Sequence, residues 1–117
     1  MRVGGYLLLW GALLAGAPAS GQEASRLEPV VTACDRLAAM PGDLSVPPGI
    51  DPVYEGLLDA PLVKIICEAA VEIRPDMPRL RHALGRANLH LGEHVIAKEN
   101  LLKAADGGHA YSLTTLG

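Results

Sequence analysis

The sequence predicts an all-α fold of antiparallel helical hairpins, and three observations predict it. With no Phe, one Trp and three Tyr, the core must be built from Leu, Ile, Val and abundant Ala, which suits closely packed helices better than a sheet sandwich. Helix-start signals stand at Asp59 ahead of Pro61 and at Asp76 ahead of Pro78, each opening an apolar stretch with helical spacing. Finally, Cys67 and Leu101, Ala70 and Ala104, and Val63 and Ala97 are each thirty-four residues apart. The end of one hairpin therefore recurs in the next.

The chain reads in three parts: residues 1–19, 20–59 and 60–117. The first carries one positive charge at Arg2, an apolar centre from Tyr6 to Ala15 and the small-residue site Ala17-Pro18-Ala19. That is the order of a secretory signal peptide, with cleavage expected after Ala19 and, second, after Gly21. The rival reading is an uncleaved anchor, but the unbroken apolar centre is short for a bilayer core of about 30 Å. Export to the periplasm or the exterior is the expectation, with no membrane attachment after the signal is removed. Without Arg2 the remainder holds 9 basic and 13 acidic residues. Such a balance offers no electrostatic footprint for nucleic acid or for an anionic membrane.

Export gives Cys34 and Cys67 their meaning, because two thiols in an oxidising compartment are expected to be joined. Val30, Ala33, Cys34, Leu37 and Ala38 recur at helical spacing, as do Val63, Ile66, Cys67, Ala70 and Val71. Both sulfurs are thus placed between two helices, and a disulfide is expected. Lipidation of Cys34 is disfavoured because charged residues separate it from the apolar region. Metal binding is disfavoured because neither cysteine has a ligand-spaced His or Cys beside it.

Helices are expected over about 29–40, from Asp59 to before Pro75, from Asp76 to about Leu91, from about Glu93 to Asp106, and from near His109. Gly92 and Gly107-Gly108 close two of them. Residues 40–59 carry prolines at 41, 47, 48 and 52 and glycines at 42, 49 and 56, so a loop is expected there.

Leu84, Gly85, Gly92, Ala97, Leu101 and Ala104, with Pro75 at the closing position, resemble the small and large packing positions of the tetratricopeptide repeat, although Asn88 stands where that family places an aromatic. The junction AADGGHAYSLTTLG, ending on Leu116-Gly117, resembles that of Sel1-like repeats, whose shorter link accounts for the thirty-two-residue step from Leu84-Gly85. The resemblance covers roughly residues 60–117. It implies a short solenoid of stacked hairpins in which the glycine of each Leu-Gly pair admits a neighbouring helix. A stack needs about three hairpins, so the sequence is expected to break off as another begins.

On a helical wheel of residues 79–91, Leu80, Leu84, Ala87 and Leu91 form one stripe, and Arg79, His82, Arg86 and His90 another. The resemblance implies that the second stripe lines a peptide groove and grips carboxylates. The alternative is a solvated helix face. His90 and His94 have metal-ligand spacing, but Gly92 interrupts the helix between them. The serines at 45 and 112 lack a nucleophile elbow, Asp35-Arg36 is a surface pair or an inter-helix tie, and no phosphate loop is present. No catalytic residue, metal or cofactor is assigned. The expected function is that of an exported interaction module for a protein or peptide, a scaffold or adaptor. The alternative is an accessory segment of a larger exported enzyme or envelope assembly.

Overall fold

The computed structural model describes residues 29–116. Residues 1–19, where a signal peptide is expected, the expected cleavage positions and Gly117 lie outside the described residues. Within them the chain is helical and contains no strand. Helix α1 covers 29–38. An irregular stretch with a short 3-10 turn at Glu55–Leu57 leads to α2 (Ala60–Ile73), α3 (Pro78–His90), α4 (His94–Asp106) and α5 (Ala110–Leu116). Helix α3 packs on α2, α4 and α5, and α4 packs on α5. None of these helices is long and apolar enough to cross a membrane.

The start of α2 follows the sequence closely. The Asp59 carboxylate accepts from the Leu62 backbone N–H at 3.3 Å, and Pro61 occupies the first turn, where its missing N–H is harmless. Asp76 does not repeat that role. Met77 is the N-cap of α3 with no side-chain cap bond, while Asp76 accepts from the Arg74 side chain at 3.3 Å instead. A nearby guanidinium offers the carboxylate a charge-assisted bond, which outweighs a neutral backbone N–H.

Helices α3 and α4 end in the same turn. Gly92 and Gly108 have φ of 77° and 98°, and the next N–H returns to the helix, Glu93 to the Asn88 carbonyl at 2.8 Å and His109 to the Ala104 carbonyl at 3.0 Å. This is the Schellman arrangement, which needs a residue free to take positive φ and thereby satisfies carbonyls left open at the helix end.

The core is aliphatic and small. Val63, Cys67 and Ala70 of α2 and their counterparts Ala97, Leu101 and Ala104 of α4 are all buried. Leu80, Ala83, Leu84 and Ala87 fill α3. Leu91, read as the end of that stripe, is 38% exposed, because the helix has ended at His90 and Leu91 already belongs to the turn. On α1 the buried positions are Val31, Cys34, Asp35 and Ala38, with Val30 and Leu37 only partly covered. Cys34 and Cys67 are disulfide-bonded, with 5.0 Å between their Cα atoms. The bridge closes a loop of 33 residues and contributes about 3–4 kcal/mol in the loop-entropy description. It fixes α1 against α2 independently of the intervening chain.

Gly85 admits α4. A Cβ there would lie 2.7 Å from Cδ2 of Leu101 and 2.8 Å from its Cγ, so a leucine of the facing helix fills this contact. Gly85→Ala gains about 1 kcal/mol of helix propensity but overpacks a closed contact, at a cost of about 1–3 kcal/mol. Chemical denaturation is expected to show a net loss of about 1 kcal/mol. Adding Leu101→Ala is expected to cost less in the Gly85→Ala background than in the native chain. Strict additivity of the two would contradict the contact.

Candidate functional site

The four residues Arg79, His82, Arg86 and His90 share one face of α3, and other parts of the chain cover most of it, leaving His90 at an exposed end. His82 and Arg86 are 1% and 2% exposed. A guanidinium can be buried only if its donors are satisfied, and those of Arg86 are taken up by the chain before α2. Its Nε donates to Glu55 Oε1 at 3.0 Å, Nη1 to the Ala38 carbonyl at 3.0 Å and Nη2 to the Val53 carbonyl at 2.9 Å. His90 shares the second oxygen of the same Glu55 carboxylate. Arg79 forms a two-point pair with Asp35, at 2.9 and 3.0 Å, and reaches the Ser45 carbonyl at 3.2 Å. Asp35 is thus an inter-helix tie, and its partner is Arg79 rather than the adjacent Arg36. The stretch 40–59, read as a loop, lies over the polar face of α3 as a strap.

Further along the strap, Asp43 sits against α5. Its Oδ2 is 2.6 Å from His109 Nε2, while Oδ1 accepts from the Ser45 N–H and hydroxyl at 2.9 and 2.6 Å. His109 Nδ1 lies 2.9 Å from Ser112 Oγ. Because an ionised carboxylate only accepts, the Nε2 proton points to Asp43. Tyr111 donates its hydroxyl to the Gly42 carbonyl at 2.6 Å. His82 lies beside this group, its ring centroid 4.6 Å from that of His109. The Thr115 hydroxyl donates to the Tyr111 carbonyl, so it accepts from His82 Nε2 at 2.9 Å and fixes that tautomer. Among the described residues no buried side-chain nitrogen or oxygen lacks a partner.

Electrostatics follow from this packing. Burial holds the His82 imidazole down to about 4 from its ordinary 6.5, with the nearby His109 and Arg86 adding to the effect. Burial would raise the carboxyl of Asp43, but hydrogen bonds from Ser45 and His109 outweigh it and leave it below its ordinary value. Glu55 behaves likewise: burial opposes ionisation, and the His90 bond and Arg86 charge lower it.

Asp43, His109 and Ser112 are linked in the order of a hydrolase triad, yet Ser112 is 0% exposed. A hydroxyl sealed in this way has no route to a carbonyl substrate, and here it closes the first turn of α5. Among the described residues no group of three or more His, Cys, Asp or Glu is set to hold a metal. His90 is turned to Glu55, and Gly92 with φ of 77° breaks the helix before His94. A shallow cleft of about 340 Å³ lies beside the strap, lined by Glu55, Arg86, Leu89, His90 and Thr115. This face holds a carboxylate and extended backbone carbonyls of the chain's own strap.

Asp43, Glu55 and His109 carried no sequence signal, since their partners stand 31 to 66 residues away. One local hint existed for Asn88. It donates to Glu93 Oε1 and accepts from Asn100, each at 2.9 Å, so a polar pair on α3 and α4 occupies the position where an aromatic was noted as missing. Glu93 also accepts from Lys64 at 2.7 Å, tying the α3–α4 turn to α2.

Comparison with protein-family models, with characterised proteins and with solved structures gives no match.

The depressed His82 value has a definite consequence for acid stability. Between its ordinary 6.5 and about 4, the unfolded chain holds a proton that the folded chain refuses, so stability falls as pH falls, by about 1.4 kcal/mol per pH unit. Asp43 and Glu55 act in the same direction, but only below their ordinary 3.8 and 4.5. Urea denaturation from pH 7 to 5 is therefore expected to steepen this loss in the native chain and to be flatter in His82→Gln. Identical pH slopes for the two would contradict a buried neutral imidazole.

Proposed function

We propose that this chain is an exported helical-repeat module of the tetratricopeptide or Sel1-like kind that binds a protein or peptide through carboxylate recognition on α3. The observation that carries the reading is positional. Val63, Cys67 and Ala70 on α2 and Ala97, Leu101 and Ala104 on α4 repeat at a thirty-four-residue step, and all six are buried. The identical turns after α3 and α4 and the contact between α3 and α5 support a stack in which α3 and α5 open successive hairpins. The disulfide supports an oxidising compartment, in keeping with the signal layout of residues 1–19.

The test is retention of envelope proteins on the purified, oxidised chain, compared with a variant carrying Arg79→Ala and His90→Ala. These positions are less deeply buried than Arg86, so the helices are expected to persist. A partner recovered by the native chain and depleted about tenfold or more on the variant, about 1.4 kcal/mol or more, is the expected result. Equal recovery of every protein would remove α3 as the binding face.

A further inference from the structure

The strap over α3 is held in an unusual way. None of residues 40–59 is buried as a whole, and Leu44, Tyr54 and Leu57 are 97%, 60% and 78% exposed. Its attachments are polar: Glu55 and the Val53 carbonyl on Arg86, Glu55 on His90, the Ser45 carbonyl on Arg79, Asp43 on His109 and the Gly42 carbonyl on Tyr111. Its ends are secured separately. The Cys34–Cys67 bridge ties α1 to α2, and Leu58 packs on the core. A segment with few buried apolar contacts opens more readily than the helices beneath it, and here it can lift while α1 and α2 stay in place.

Lifting the strap exposes donors that need replacement acceptors. Arg86 would lose a carboxylate and a carbonyl two residues before it, and His90 and His109 would each lose a carboxylate. These vacated partners describe the missing ligand: an extended segment with an acidic residue two positions after a free carbonyl, and further acidic residues along it. Arg86 and the Asp43–His109 pair are withdrawn from water, while Glu55 is exposed in its pairs with Arg86 and His90, so an incoming segment must supply acceptors of the same kind in place of those it displaces.

We propose that residues 40–58 are an internal stand-in for the partner, and that an acidic, extended peptide segment exchanges with them on Arg86, His90 and His109. The inference rests on the interaction-module reading and names the class of ligand that its face takes. The strap sets the threshold: an incoming segment must compete with a tethered one whose local concentration is high.

The experiment uses the oxidised chain and a synthetic peptide of its own residues 40–58, with a neutral twin in which Asp43, Asp51 and Glu55 are replaced by Asn, Asn and Gln. Binding is read by fluorescence anisotropy on the native chain and on Glu55→Ala, whose side chain is 59% exposed in the native chain. The acidic peptide is expected to bind the variant about tenfold more tightly than the native chain, and the neutral twin at least about tenfold more weakly than the acidic peptide. In the native chain, without any substitution, the Val53 and Leu57 amides are expected to exchange hydrogen for deuterium well ahead of those of α3, and faster still with the acidic peptide present. Equal affinity of native chain and variant, equal binding of the neutral twin, or strap amides exchanging only together with α3 would each overturn the proposal. Failure to retain any envelope protein would sink the module reading alone, because strap exchange is read on the isolated chain.

Discussion

The arrangement of the N-terminal half depends on the burial of one positive charge. Arg86 lies at the centre of α3, and its guanidinium is withdrawn from water against the strap and the end of α1. A cation in that position needs acceptors, and α3 itself offers none, because its own carbonyls are engaged in the helix. The acceptors come from the end of α1, from Val53 and from Glu55. The course of the intervening chain follows from that requirement, and not from apolar burial. Once Glu55 is drawn to Arg86, its second oxygen faces His90.

The helical half rests on a different physical basis. Small residues let α2, α3 and α4 approach, and the same six positions on α2 and α4 bury their side chains. The disulfide sets α1 against this layer. Two kinds of attachment therefore meet at α3, an apolar one below and a polar one above. The polar one consists of hydrogen bonds and ion pairs, whose acceptors can in principle be replaced by others of the same kind without opening the apolar layer.

Where the physics is local, the sequence was legible. The Asp59 cap, the two glycine-closed turns and the thirty-four-residue burial pattern all involve neighbours or a fixed step along the chain, and the cysteines were paired because the chain has only two. Asp76 shows the limit: its cap signal was genuine, but Arg74 two residues away competed for it. The fate of Arg79, His82, Arg86 and His90 was not legible, because a helical wheel shows only that polar residues share a face. What covers the face lies more than 30 residues away for each of these bonds: for Arg79, Arg86 and His90 in a proline-rich stretch with no periodicity to read, and for His82 on α5. The same holds for His109, whose partner Asp43 is 66 residues distant, and for the contact of Gly85 with Leu101 on the facing helix.

The most direct measurement of the central claim is the exchange of the arginine Nε–H protons with water, read by nitrogen-edited NMR at neutral pH. Arg79 and Arg86 donate these protons to Asp35 and Glu55, whereas Arg36 is exposed. The structure predicts slow exchange at Arg79 and Arg86, fast exchange at Arg36, and selective loss of the Arg86 protection in Glu55→Ala. An Arg86 proton that exchanges as fast as that of Arg36 in the native chain would contradict the account.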